Sequence, residues 1–154
     1  MTEPFHLRQN KLLAALPDVE LLRLAPELHA VELQQGQALY ESGTTMSHVY
    51  FPTTALVSLV YEFEDGALAE TAVVGDEGLV GLAVFMGGDS RLGRAVVLRT
   101  GHALRVRAHA LREEFQRAGP LMRMVLRFTQ ALITQIAQTA ACNRHHSLEQ
   151  RLCR

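Results

Sequence analysis

Hydrophobic and polar positions divide the chain into three stretches, and the first predicts two short helices. Asn10 precedes the run Lys-Leu-Leu-Ala-Ala-Leu, which predicts an N-cap and a helix that ends at Pro17. A second helix is predicted from Asp18, because valine and leucine then recur at helical spacing up to Pro26.

The second stretch has the pattern of short β-strands. Runs of β-branched and aromatic residues lie between glycine-rich turns, at 48–51, 55–61, 71–74, 95–98 and 103–106. Asp65-Gly66 separates two of these runs and predicts a hairpin with a type I′ turn. Because no helix of ordinary length separates the strands, the pattern predicts an antiparallel sandwich or barrel.

Helical periodicity returns in the third stretch. It predicts a helix over Ala110–Arg117 and, after Gly119-Pro120, a long helix from Leu121 to about Ala141. Apolar positions cover roughly 240° of this long helix, whereas a helix lying on one domain needs little more than about 100°.

The wide apolar arc leaves two interpretations open: burial on several sides within one domain, or packing against the same helix of a second subunit. We favour a two-fold dimer, since a long exposed apolar helix otherwise promotes aggregation. The predicted interface residues are Leu121, Val125, Phe128, Leu132, Gln135, Ile136 and Thr139.

Length and composition are those of one globular domain. The chain has 154 residues, of which 48% are hydrophobic and 20% charged, which is ordinary for a globular chain with a core of its own. No apolar run approaches the ~20 residues of a membrane span, and the N-terminus has no secretion-signal pattern. Cys142 and Cys153 give neither a disulfide framework nor a metal-ligand spacing. We therefore expect a cytoplasmic protein without membrane contact.

Charge is distributed unevenly along the chain. The net charge is −1, yet the segment from Leu24 to Ser90 has ten acidic residues and no lysine or arginine. From Arg91 onward there are twelve arginines and three glutamates. An acidic middle segment repels anionic ligands, so this asymmetry restricts what the strand region can bind.

Several motifs occur in an order known from one family. They are Asn10-Lys-Leu-Leu-Ala-Ala-Leu16, Gly36-Gln-Ala-Leu-Tyr-Glu-Ser-Gly43, His48-Val-Tyr-Phe-Pro52, Val74-Gly-Asp-Glu-Gly78 and His145-His-Ser-Leu-Glu-Gln-Arg-Leu152. With them, the whole chain resembles the sensory part of CRP/FNR-type bacterial transcription regulators.

The resemblance implies a mostly β fold with flanking helices. This is a jelly roll (double-stranded β-helix) of the cyclic-nucleotide-binding type, followed by a long dimerisation helix. It divides the chain into a sensory domain over 1–118, a dimerisation helix over 119–142, and a hinge with the start of a winged-helix DNA-binding domain over 143–154.

The last residues carry their own helix signal. Ser147-Leu-Glu-Gln150 reads as a capping box, and we expect residues after about Asn143 to be frayed. In the family this segment begins the DNA-binding domain, so DNA contact is expected only through a domain that this chain lacks. RNA polymerase is then a candidate partner of the full-length protein. The arginines of the C-terminal half follow the pattern of solvated helix and strand faces, so they do not indicate DNA contact.

The resemblance also indicates where a ligand would bind. Cyclic-nucleotide-binding relatives have a Gly-Glu pair for the ribose and an Arg-Ser/Thr-Ala stretch for the phosphate. Here Gly81 is followed by Leu82, which removes the ribose acceptor, and Gly93-Arg94-Ala95 matches the phosphate stretch only loosely.

We therefore do not expect a cyclic nucleotide that is bound by the usual contacts. The identity of the ligand stays open, and a cyclic nucleotide remains a candidate. The candidate ligand-binding residues are Gly78, Gly81, Leu82, Arg91, Arg94, Ala95, Thr129 and Gln135. Thr129, Gln135 and Thr139 lie within the apolar arc, and Gln135 falls where relatives contact a bound base. A second reading is that these polar groups meet their two-fold mates and fix the helix register.

Other functions have weaker support in the sequence. A cupin-like metal enzyme would need several histidines with a carboxylate, yet no His-x-His pair is present. His48 or His102 could be proposed as haem ligands, but lone histidines on strands are usually structural, and the cysteines for an iron–sulfur cluster are absent. We predict no enzymatic activity, no catalytic residue and no metal site. A stand-alone ligand-binding module stays open as an alternative.

Overall fold

The computed structural model describes residues 4–87 and 93–145. Its helices are α1 (Pro4–Leu7), α2 (Lys11–Ala14), α3 (Asp18–Leu24), α4 (Ala108–Gln116) and α5 (Pro120–His145). Its strands are β1 (His29–Leu33), β2 (Ala38–Tyr40), β3 (His48–Pro52), β4 (Leu56–Glu62), β5 (Leu68–Val74), β6 (Gly93–Arg99) and β7 (Gly101–Arg107). Two 3-10 segments, Ala25–Glu27 and Leu82–Phe85, complete the described structure.

The strands form two antiparallel sheets, as the sequence predicts. One sheet has the order β1-β7-β3 and the other the order β2-β6-β4-β5. Every run predicted as a strand lies mostly within β3, β4, β5, β6 or β7, whereas β1 and β2 were not predicted. The mostly β jelly-roll fold with a long C-terminal helix is therefore confirmed.

The hairpin between β4 and β5 has a different turn from the predicted one. The Gly66 N–H donates to the Phe63 carbonyl at 2.9 Å, and the Phe63 N–H donates to the Ala67 carbonyl at 2.8 Å. A type I′ turn requires positive φ at both central residues, but Gly66 has φ of 86° and Asp65 has no positive φ. The connection is thus a three-residue loop that ends in a left-handed glycine.

The helical boundaries follow the predictions with small shifts. The Asn10 side chain accepts hydrogen bonds from Leu12 N and Leu13 N, which confirms the predicted N-cap of α2. Helix α4 begins two residues before the predicted Ala110. Helix α5 has 26 residues and extends to His145, into the segment 143–154 that was predicted to begin with the hinge. The predicted capping box at Ser147 lies outside the described residues.

The largest hydrophobic cluster joins the helices to the barrel. Fully buried leucines of α1, α2 and α4 meet Val49 and Phe51 of β3 and the first turns of α5. Two smaller clusters lie on the strands, one around Leu33 and Val97 and one around Val57 and Val74. The start of α5 therefore belongs to the core of the barrel.

Candidate ligand-binding site

The loop after β5 is held by the N-terminal helices. The Asn10 side chain is fully buried, and its amide donates to the carbonyls of Pro52 and Gly78, both at 2.9 Å. The Lys11 N–H donates to the Asp76 carbonyl at 2.7 Å. One asparagine therefore caps α2 and ties it to β3 and to the loop at Gly78.

Gly78 lies in this loop because the ring of Phe128 occupies the space of a side chain. A Cβ at this position would lie 2.5 Å from two ring carbons of Phe128 and 2.9 Å from Val74 Cγ1. Such distances are far inside van der Waals contact. Gly78 thus permits close packing of α5 on the loop.

Gly81 and Leu82 form a tight backbone turn beside β3. Gly81 has φ of 121°, which L side chains rarely adopt, and it precedes the 3-10 segment Leu82–Phe85. Val80 and Tyr50 exchange backbone hydrogen bonds of 2.8 and 3.0 Å across the turn. The half-buried Leu82 packs against the hydrophobic core. An aliphatic side chain cannot accept a hydrogen bond from a ribose hydroxyl.

Arg94 and Ala95 lie at the beginning of β6. Ala95 is fully buried in the barrel wall. A guanidinium nitrogen of Arg94 lies 3.8 Å from the Glu41 carboxylate, and its Nε is buried without a hydrogen-bond partner among the described residues. Arg91, the other predicted phosphate contact, lies outside the described residues.

Thr129 and Gln135 have different surroundings on α5. The Thr129 hydroxyl donates to the Val125 carbonyl at 2.7 Å, so its hydrogen is used within the helix. Gln135 is exposed and lines two grooves. The predicted site residues therefore occupy separate places: the loop under α5, the turn beside β3, the barrel wall and the surface of α5.

One of the two grooves is apolar. It has a volume of about 390 Å³ and lies between α2 and α5, where Leu12, Met124 and Phe128 form much of its wall. Glu77 and Arg127 are the charged side chains that line it.

The other groove is polar and has a volume of about 350 Å³. It runs between β5 and the C-terminal half of α5, and it is lined by Glu70, Thr71, Ala72, Val73, Gln135, Gln138 and Thr139. The Glu70 carboxylate accepts a hydrogen bond of 2.5 Å from the hydroxyl of Ser58. This interaction fixes the carboxylate at one end of the groove.

The N-terminus of α5 is capped from another helix. The Leu121 N–H donates to the carboxylate of Glu20 at 3.1 Å, and the Glu20 side chain is almost completely buried. Arg23 pairs with Glu114 of α4 at 2.9 Å and lies 4.0 Å from Glu20. Sequence analysis missed this network. A signal was available, since Gly119-Pro120 provides no capping side chain for a long helix.

The structure places much of the predicted dimer interface inside the protomer. Leu121 and Val125 are 1% and 2% exposed, and Leu132 is 9% exposed. Leu121 and Val125 belong to the protomer's own core, and all three residues leave almost no surface for a partner. In contrast, Leu126 and Ile133 are 55% and 61% exposed.

A second, mostly apolar stripe runs along α5. Its members are Met122, Leu126, Thr129, Ile133, Ile136 and Ala140, each exposed or half-buried. We call this stripe the outer seam. It is rotated by one residue, or about 100°, from the buried positions.

The histidines considered as haem ligands, His48 and His102, lie on β3 and β7. The Nδ1 of His48 lies 2.9 Å from the Ser47 hydroxyl. Burial, together with the positive charges of Arg105 and Arg107, lowers the pKa of His48 below its usual value. His102 is exposed. In the part of the chain that the structure describes, no group of three His, Cys, Asp or Glu side chains could hold a metal ion.

No helix within residues 4–87 and 93–145 is long and apolar enough to cross a membrane.

Comparison with protein families identifies the class of this domain. Residues 30–118, more than half of the chain, match the model of the cyclic nucleotide-binding domain, so the chain belongs to that family. Among curated protein sequences, none matches the chain.

Solved structures share the fold at low sequence identity. A protein described as a transcriptional regulator of the CRP/FNR family from Eubacterium rectale has a TM-score of 0.80 at 9% identity, over 93% of this chain and 67% of that chain. The c-di-GMP responsive global regulator CLP of Xanthomonas campestris has a TM-score of 0.74 at 14% identity, over 89% and 69% of the two chains.

A eukaryotic protein shares the fold as well. The regulatory subunit of a cAMP-independent protein kinase A from Trypanosoma cruzi, bound to guanosine, has a TM-score of 0.68 at 16% identity. The match covers 80% of this chain, which spans 44% of that subunit. Together these findings confirm a cyclic-nucleotide-binding domain with a CRP/FNR-type fold.

Proposed function

We propose that this chain is the effector-sensing and dimerisation part of a CRP/FNR-type bacterial transcription regulator. The observation that carries the proposal is α5, which begins in the core of a cyclic-nucleotide-binding barrel and carries an apolar seam away from it. In this proposal the DNA-binding domain lies outside the chain, the protein acts in the cytoplasm, and its role is not enzymatic. RNA polymerase would be contacted only by the full-length regulator.

The outer seam supports a parallel two-fold dimer. Its residues are spaced alternately by four and three along the chain, which is the repeat of a coiled-coil interface. Thr129 is the polar member, and such a residue at a seam position fixes register at some cost in stability. A dimer through this seam buries Leu126 and Ile133 and leaves the core residues of each protomer undisturbed.

Signalling would pass along α5. A ligand that binds more tightly to one position of α5 against the barrel than to another shifts α5 toward that position. The helix pair of the dimer, and any segment that follows it, then moves as well. The contact between Phe128 and the loop at Gly78 lies between barrel and helix, so it would transmit such a shift.

The ligand in this proposal is not a cyclic nucleotide bound by the usual contacts. Leu82 offers no acceptor for the ribose, and Arg94 is the one described arginine at the expected phosphate position, where it faces Glu41. The acidic barrel segment disfavours an anion further. A related fold that holds guanosine supports a ligand without a phosphate.

Sedimentation analysis of the purified chain tests the dimer. We expect a dimer for the wild type and a monomer for the double variant Leu126→Glu/Ile133→Glu, because four carboxylates would meet in the seam. Thr134→Glu, on an exposed face of the same helix, is the control and should remain dimeric. A dimer that survives the double substitution would exclude the outer seam.

A further inference from the structure

The polar groove between β5 and α5 has the size and the polar lining of a binding site for a small molecule. Its volume of about 350 Å³ lies at the lower end of the range of small-molecule sites, about 300–1,000 Å³. Its wall combines a strand of the barrel with the exposed half of α5. A molecule in it would touch both the sensory barrel and the helix.

Hydrogen-bond acceptors are fixed on the strand side. The Glu70 carboxylate is held by the Ser58 hydroxyl, and Ser58 is itself buried. An ionised carboxylate only accepts, and one hydrogen bond leaves most of its lone pairs free. The Thr71 hydroxyl donates to the Leu59 carbonyl at 3.0 Å, so it too presents lone pairs.

The helix side adds groups that can both donate and accept. Gln135 and Gln138 each bring an amide, and Thr139 brings a hydroxyl. No lysine, arginine or histidine is among the described residues that line this groove. A phosphate would therefore meet the negative charge of Glu70 without a compensating cation, which is unfavourable at short range.

We propose that this groove binds an uncharged small molecule of nucleoside size that is rich in hydroxyl and amine donors. Glu70 accepts from its donors, and Gln138 supplies a second, amide contact from the helix. This inference rests on the proposed function, since it identifies the ligand class of the sensory domain and its place beside α5.

The groove stays open in the proposed dimer. Gln135 and Gln138 lie on the side of α5 away from Ile133 in the outer seam, roughly 140–160° around the helix. A ligand can thus enter without displacing the partner subunit. Because it contacts β5 and α5 together, its binding changes the position of the helix that the dimer shares.

Calorimetric titration of the purified chain with adenosine and guanosine tests the inference. We expect at least one nucleoside to bind, and its 5′-monophosphate and 3′,5′-cyclic monophosphate to bind at least tenfold more weakly. Glu70→Gln and Gln138→Leu should each weaken nucleoside binding by tenfold or more. Glu64→Gln, in the exposed turn between β4 and β5, is the matched control and should leave binding unchanged.

Three results would overturn the inference: no nucleoside binding at millimolar concentration, tighter binding of the phosphorylated forms, or unchanged binding in both groove variants. Circular dichroism of each variant establishes that it is folded. Sedimentation of the same samples separates the two proposals, because a chain that dimerises but binds no nucleoside refutes the ligand class alone. A chain that binds nucleosides as a monomer refutes the proposed dimer and leaves the groove assignment standing.

Discussion

The two halves of α5 have different environments. In the first half, Leu121 and Val125 are almost completely buried in the barrel core, and the helix N-terminus is capped by Glu20. From Ile133 to Cys142, every described side chain is exposed or half-buried. One continuous helix thus combines a segment that completes the barrel with a segment that leaves it.

This difference shows that a wide apolar arc can have two separate causes. One part of the arc belongs to the protomer, where it supplies stability. The other part, the outer seam, is exposed or half-buried in the protomer, and in our proposal a second subunit covers it. The substitutions below test this division, from the largest expected effect to the smallest.

Truncation of one aliphatic residue in each environment tests the division directly. Leu121→Ala should lower the free energy of unfolding by about 2–5 kcal/mol, because it opens a cavity in the core. Ile133→Ala should change protomer stability by less than about 0.5 kcal/mol and alter only the concentration dependence of the transition. Urea denaturation at several protein concentrations measures both. Equal losses in the two variants would mean that both halves of α5 belong to the core.

The close contact between barrel and helix is tested at Gly78. Gly78→Ala places a methyl group against the Phe128 ring and should cost about 1–3 kcal/mol through overpacking. Phe128→Leu replaces the ring by a smaller side chain, so the double variant should lose less than the sum of the single losses. Urea denaturation of the three variants gives the coupling. Strict additivity would show that the loop and the helix relax independently.

The sequence predicts the fold well where local pattern and tertiary structure agree. Runs such as Ala95–Leu98 form strands because alternate residues point into the barrel, and Asn10 caps a helix because its side chain suits that role. The prediction fails at β1, because only Leu33 of this strand is buried and the strand therefore lacks an alternating apolar pattern. It fails again at Asp65-Gly66, because a dipeptide signal does not distinguish a two-residue loop from a three-residue loop.

The site was harder to predict because its determinants are tertiary. A helical wheel gives the width of an apolar arc but not which part faces the barrel, so the predicted interface includes Leu121 and Val125, which the structure buries in the protomer. Glu70 was counted among the acidic residues of the barrel, and only its contact with Ser58 reveals a fixed acceptor beside α5. The match of Gly81-Leu82 to the family's Gly-Glu pair located a tight turn, and the positive φ of Gly81 gives this glycine a backbone role.

Removal of the Glu20 carboxylate tests whether the start of α5 depends on a cap from another helix. Glu20→Ala leaves the buried Leu121 N–H without its acceptor and should cost about 0.5–2 kcal/mol. Glu20→Gln keeps an acceptor oxygen and should retain more of the stability. The control is Glu113→Ala, which removes an exposed carboxylate of α4 and should have almost no effect. Urea denaturation ranks the three variants. Because Arg23 keeps Glu114 as its partner, a loss of stability in Glu20→Ala reports mainly on the cap. If Glu20→Gln is as unstable as Glu20→Ala, the negative charge beside Arg23 holds the helix start, and the cap hydrogen bond does not.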